Sequence, residues 1–143
     1  MNKIAIVFWS GTGNTEAMAG YIAEGVRAAG GEAKLLGPGD FSAGQLAAYS
    51  AVAFGCPAMG SEVLEEMEFE PMFSALEHSL SGKRIALFGS YGWGDGQWMR
   101  DWCKRCDEAG ANLLDENGLT VNKAPDAEGK ETCKELGRRL VAC

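Results

Sequence analysis

Short apolar strands alternating with helices predict an α/β protein, a three-layer sandwich built on a five-stranded parallel sheet. Three observations carry this prediction. Residues 3–8, 51–55 and 83–89 are dominated by unbroken apolar runs rather than alternating ones, as strands buried on both faces are. Stretches with apolar residues at helical spacing separate them, and right-handed crossovers then leave few topologies other than a parallel sheet. The chain has 143 residues, 46% hydrophobic and 23% charged, which suits one domain (1–143) around one good core.

The elements follow in order. The run at 3–8 ends in a Gly-rich turn. Over 14–29 the apolar residues Ala17, Met18, Tyr21, Ile22, Val26 and Ala29 share a helical face, and Gly30 and Gly31 stop the helix. Residues 32–36 form a short strand before the turn Gly37-Pro38-Gly39-Asp40, and 46–49 make a turn or two of helix. After the strand at 51–55 comes a long loop rich in glutamate, then a helix over 72–80 with Pro71 in its first turn. The strand at 83–89 leads into a Gly-rich aromatic loop at 90–96 and a helix over 97–109. A strand region at 112–121, interrupted at 115–118, precedes the last helix at 128–141, with Cys133, Leu136 and Leu140 on one face.

Composition excludes some function classes. The net charge of -7 disfavours nucleic acid and anionic membranes, which need a basic face, and suits encounter with a basic protein patch. The first apolar run is too short for a signal-peptide core or a membrane span, so a cytoplasmic protein is expected. The odd count of cysteines (Cys56, Cys103, Cys106, Cys133, Cys143) fits free thiols in a reducing compartment.

In such sheets ligands sit beyond the carboxyl ends of the strands, so three loops share one rim. The first holds Ser10, Gly11, Thr12, Gly13, Asn14 and Thr15. It joins a strand to a helix N-terminus, where amides and neutral donors form a site for an anion, most naturally a phosphate. It has no Lys or Arg, unlike the nucleotide triphosphatase loop. An ordinary Gly-rich turn with a polar cap has the same composition. The third loop holds Ser90, Tyr91, Gly92, Trp93, Gly94 and Asp95, two aromatics among glycines, with Trp93 the better stacking surface for a flat ring. A surface Trp in a flexible loop reads similarly. The second loop holds Pro57, Ala58, Met59, Gly60, Ser61 and Glu62; Met59 offers a sulfur to the opposite ring face, although a Met there is also a common core plug.

Other chemistries fit less well. Cys103 and Cys106 make a C-x-x-C pair, but it lies in the middle of a helix rather than at its N-terminus. His78 is the only histidine and is far in sequence from the cysteines, so no metal site is expected. A low-molecular-weight phosphatase needs Arg six residues after its Cys, where Cys56 is followed by Glu62. A receiver domain needs Asp at the end of the third strand, where Gly55 and Cys56 stand.

In these three blocks, in order, the sequence resembles the short-chain bacterial flavodoxins, over nearly its whole length. The resemblance is densest at 9–16, at Ala58-Met59-Gly60-Ser61-Glu62-Val63-Leu64-Glu65-Glu66 and at 87–96. It implies strand order 2-1-3-4-5 and non-covalent FMN. The phosphate lies on the first loop, with Met59 and Trp93 as inner and outer ring contacts. The Gly60 carbonyl accepts from flavin N5 after one-electron reduction, and Glu62 lies at the pyrimidine edge. Ser61 and Pro57 depart from residues found in some relatives, which bears on the potentials.

The implied function is a low-potential one-electron carrier, passing through oxidised, neutral semiquinone and anionic hydroquinone states. Its partners are redox proteins, ferredoxin-type reductases or oxidoreductases, that dock through a basic surface; the carrier itself is expected to be a monomer and not an enzyme. The alternative is a small FMN-dependent reductase acting on a small molecule such as a quinone. Glu62, Glu65, Glu66, Glu68 and Glu70, five acids in nine residues, together with Asp95, are expected to depress the second potential. A solvated helix face accounts for most acid runs and is the better reading of Glu68 and Glu70.

Overall fold

The computed structural model describes residues 2–142, so Cys143 lies outside the described residues. Six strand segments, β1 (Lys3–Phe8), β2 (Glu32–Leu36), β3 (Ala51–Gly55), β4 (Arg84–Tyr91), β5 (Asn112–Leu113) and β6 (Leu119–Asn122), form one parallel sheet. Its order is β2-β1-β3-β4-β5, with β6 also paired to β4, so the interrupted fifth strand fills one position in two pieces. The resemblance led to this order, and the structure has it. Four helices cover the faces: α1 (Asn14–Ala28), α2 (Phe69–Leu76), α3 (Gln97–Glu108) and α4 (Ala127–Ala142). No helix among the described residues is long and apolar enough to cross a membrane.

The strand pattern explains the two cores. Neighbouring residues in a strand point to opposite faces, so an unbroken apolar run supplies both. Ile4, Ile6, Ala51, Ala53, Ala86 and Phe88 pack against α1 and α4; Ala5, Val7, Val52, Phe54, Ile85 and Leu87 pack against α2 and α3. The second face is aromatic. Phe73 meets Phe54 edge-on at 5.3 Å between ring centroids, and Phe69 and Phe73 contact Trp102 at 5.5 and 5.7 Å. Such edge-to-face pairs add about 0.5–1.5 kcal/mol each beyond the area they bury.

On the other face α1 and α4 touch backbone to backbone. A Cβ at Gly25 would lie 1.9 Å from the Lys134 carbonyl oxygen, and one at Gly137 would lie 2.1 Å from that of Ile22. Only glycine permits that separation.

Several boundaries differ from the sequence reading, among them those of β4 and α2, while the helical turn expected at 46–49 is a 3-10 helix at Ala43–Ala48. β4 continues to Tyr91, because Val121 and Asn122 of β6 pair with Ser90 and Tyr91. Those two residues therefore end a strand, and the Gly-rich loop begins at Gly92. Helix α2 starts at Phe69, three residues before the expected Met72, and gives way at Glu77–Ser79 to a 3-10 turn. Glu65 accounts for the early start: its buried carboxylate accepts the N–H groups of Met67, Glu68 and Phe69, each at 2.8 Å. These include orphan donors that every helix N-terminus must satisfy.

Candidate functional site

The carboxyl ends of β1, β3, β4 and β6 open on one rim, and a cavity of about 300 Å³ lies there. Of the residues selected from sequence, Gly11, Thr12 and Asn14, then Pro57, Ala58, Met59 and Gly60, then Ser90, Tyr91 and Gly92 line it. All three loops contribute. Ser10, Gly13, Thr15, Ser61, Glu62, Trp93, Gly94 and Asp95 do not line it. Two lining residues were not selected: Trp9, which precedes the first loop, and Lys123, which follows β6.

The first loop carries the electrostatics. Gly13, at φ +97, turns the chain into α1 with no side-chain cap. The Ser10 hydroxyl accepts the amides of Gly13 (3.1 Å) and Glu16 (3.3 Å). Ser10 thereby shapes the loop rather than facing the cavity. Among the described residues, the amides of Gly11, Thr12, Asn14 and Thr15 have no protein acceptor. Unpaired donors at the positive end of a fifteen-residue helix suit a phosphate. Trp9 lies below, and a Cβ at Gly11 would come within 3.0 Å of its ring.

Thr15 and Ser90 are buried and join two strand ends. The Ser90 amide lies 3.4 Å from the Thr15 Oγ1, and the Ser90 hydroxyl donates to the Lys123 carbonyl at 2.7 Å. Their hydroxyls hold the rim together.

The second loop is fastened at both ends. The Cys56 carbonyl accepts Trp98 Nε1 at 3.1 Å, and its thiol sulfur accepts the Glu65 amide at 3.3 Å. Between them, Met59 accepts the Glu62 amide at 2.8 Å and donates to Val63 at 3.1 Å. This makes a tight turn that places Glu62 at φ +52, a left-handed conformation unusual for glutamate. Its carboxylate lies against Gly94, where a Cβ would fall 2.7 Å from Oε1, and Oε1 is buried with no partner. An unpartnered carboxylate oxygen at the junction of two loops suits a ligand donor such as a ring N–H.

On the third loop, Tyr91 faces the cavity and packs on Trp98 at 5.7 Å. Trp93 is 66% exposed at the loop tip. Asp95 is paired with Arg100 at 3.0 Å at the surface.

The glutamate run divides by environment. Burial would push Glu65 up, yet its three backbone donors hold it below the usual carboxylate range. The Arg105 guanidinium holds Glu70 low through paired hydrogen bonds of 2.8 and 2.6 Å. Glu65 is thus a helix cap and Glu70 an ion-pair partner, which corrects the reading of the second as a solvated face. Glu66 and Glu68 are exposed.

Burial also pushes the Cys56 thiol up to about 12, which disfavours the nucleophilic thiolate and fits a packed structural thiol. Cys103 and Cys106 are buried on α3 and pushed up to about 11 and about 12. Among the described residues no group of His, Cys, Asp or Glu could hold a metal ion. A larger groove of about 680 Å³ beside α3 carries Arg100, Lys104, Asp107 and Glu116, mixed charges with no convergent donors.

The cavity's donor set therefore fits FMN: unpaired amides for its phosphate, apolar and aromatic walls for its ring, and an unpartnered carboxylate oxygen nearby. Comparison with known proteins agrees. The family model described as flavodoxin matches residues 6–137. The chain is 45% identical to a flavodoxin of Clostridium beijerinckii over 95% of its own length and 97% of that protein. It is 46% identical to a flavodoxin of Megasphaera elsdenii over 94% and 95%. The solution structure of the two-electron reduced M. elsdenii flavodoxin superposes with a TM-score of 0.87 at 42% identity, covering 98% of this chain and 99% of that one. With the cavity, its donors and these matches agreeing, the chain belongs to the flavodoxin family, whose members bind FMN and carry electrons between redox partners rather than catalyse a reaction.

Proposed function

We propose that this chain is a low-potential, one-electron carrier of the reducing cytoplasm, acting as a single-domain monomer and docking with redox proteins through their basic surfaces. The observation that carries the reading is the rim itself. Unpaired amides at the α1 N-terminus adjoin a cavity walled largely by Trp9, Pro57, Ala58, Met59 and Tyr91, apolar and aromatic surface for a flat ring beside donors for a phosphate. When bound, FMN supplies the redox chemistry, taking up and releasing single electrons at its ring.

The residues divide that task. Gly11, Thr12, Gly13, Asn14 and Thr15, shaped by Ser10, hold the phosphate. Pro57, Ala58, Met59 and Gly60 form one wall, with Met59 against the ring and Ser61 completing the turn beyond it. The Gly60 backbone, where an added Cβ would meet nothing within 4 Å, lies open at the cavity, and its carbonyl is placed to accept from the ring. Ser90, Tyr91 and Gly92 form the other wall; Trp93, Gly94 and Asp95 continue the same loop outside it, with exposed Trp93 covering the outer face. Glu62 orients the ring's polar edge and adds negative charge there.

That charge opposes the second electron. A tenfold bias against the added electron corresponds to roughly 1.4 kcal/mol, or about 59 mV in a one-electron couple. Glu62→Gln is expected to raise the second potential by roughly that amount; an unchanged potential would remove Glu62 from the electrostatic account. Around the site, exposed Val63, Met67 and Trp93 with acidic Glu66 and Glu68 suit a partner with an apolar centre and a basic rim.

The deciding experiment is an anaerobic reductive titration of the FMN-loaded protein followed by visible absorption. Two successive one-electron stages are expected. A single two-electron bleaching, with steady-state oxidation of NAD(P)H, would favour a small-molecule reductase instead.

A further inference from the structure

The first loop presents its anion site with neutral donors alone, because Ser10, Gly11, Thr12, Gly13, Asn14 and Thr15 include no cation. Tertiary structure adds one. Lys123 follows β6, far along the chain, yet lines the same cavity and is the sole charged residue among those that do. Its place is fixed by the backbone. Its amide donates to the Tyr91 carbonyl at 2.7 Å, and its carbonyl accepts the Ser90 hydroxyl at 2.7 Å. Ser90 in turn lies 3.4 Å from Thr15 Oγ1, so a short hydrogen-bonded path joins Lys123 to the first turn of α1.

Lys123 also sits at φ +60. A left-handed conformation crowds the Cβ of an L-residue against its own backbone, and glycine or asparagine would adopt it more cheaply. A lysine kept in a strained position on a ligand rim calls for a reason beyond the turn.

We propose that Lys123 is the counter-cation of the bound cofactor's phosphate, supplying from the β6–α4 connection the charge that the phosphate loop lacks. The inference rests on the FMN reading above and adds a binding residue to it. In a protein of net charge -7 the overall field opposes a phosphate dianion, and the neutral amides of the first loop offset only part of that field. One lysine near it offsets part of that repulsion and makes the affinity salt-dependent.

The test compares native protein with Lys123→Gln, Lys123→Arg and Lys123→Gly, measuring affinity for FMN and for riboflavin, which lacks the phosphate, by flavin fluorescence at low and high salt. Lys123→Gln is expected to weaken FMN about three- to tenfold at low salt, with the gap closing at high salt. Riboflavin should bind native protein and Lys123→Gln alike, and Lys123→Arg should restore FMN binding. Lys123→Gly relieves the backbone strain, so it should raise the urea midpoint of the apoprotein while weakening FMN as Lys123→Gln does. Equal FMN affinity in native protein and Lys123→Gln at low salt overturns the proposal. So does a parallel loss of FMN and riboflavin, which would mean that the residue only shapes the rim. Failure of native protein to bind FMN at all would instead refute the underlying reading.

Discussion

Replacing Glu65 with Gln separates a helix cap from a cofactor contact. The carboxylate is 5% exposed, and its two oxygens accept three backbone N–H groups at 2.8 Å, Oε2 from Met67 and Oε1 from Glu68 and Phe69. Glutamine keeps one acceptor oxygen. Its NH2 must then meet at least one N–H head-on, so one charge-assisted bond is lost and the remaining ones weaken. A hydrogen bond to a charged group contributes about 1.5–3 kcal/mol, so the variant should lose roughly 2–3 kcal/mol at pH 7. For a chain of this size that lowers Tm by about 4–12 °C. The pH dependence has a defined sign. Glu65 titrates below its unfolded value, so its contribution is fully present above that value and disappears as pH falls through the folded one. Urea unfolding of the apoprotein, which avoids linkage to ligand binding, should therefore show a gap between native and variant at pH 7 that narrows on acidification. A variant as stable as the native protein at pH 7, or a gap independent of pH, would refute the capping argument. A shift in the second redox potential with stability intact would return Glu65 to the cofactor.

Other expectations follow from packing and charge. Gly25→Ala should cost at least about 3 kcal/mol in urea unfolding, because α1 and α4 must separate, whereas Gly20→Ala, with open space around it, should gain about 0.5–1 kcal/mol. Arg105→Lys should lose about 1–2 kcal/mol, since an ammonium cannot bridge both Glu70 oxygens and Glu77 as the guanidinium does. With Glu70 held low by that fork, the loss should be largest near neutral pH and shrink in acid. Thiol-reagent kinetics at pH 8 should find Cys56, Cys103, Cys106 and Cys133 at least about 100-fold slower than a free thiol until the chain is unfolded. Fast modification of Cys103 and Cys106 in the folded state would reopen a thiol redox role.

The layers, the order of elements and the three loops are legible in the amino-acid sequence. Those properties are written in local periodicity. Unbroken apolar runs such as Ala51–Gly55, short and followed by turn residues, fit strands covered on both faces, and the glycines of the first loop mark a strand-to-helix turn. Tertiary structure decided which residues of those loops meet. Ser90 and Tyr91 looked like loop residues until β6 extended β4 to hold them. Glu65 and Glu70 stood in one acidic run, yet the first turns inward to a helix end and the second outward to an arginine on another helix. Lys123 had no local signal beyond its place at the end of a strand, and only the sheet order brings it to the cavity. Periodicity reports what each segment buries, but contacts between distant segments depend on register and on how far each strand runs.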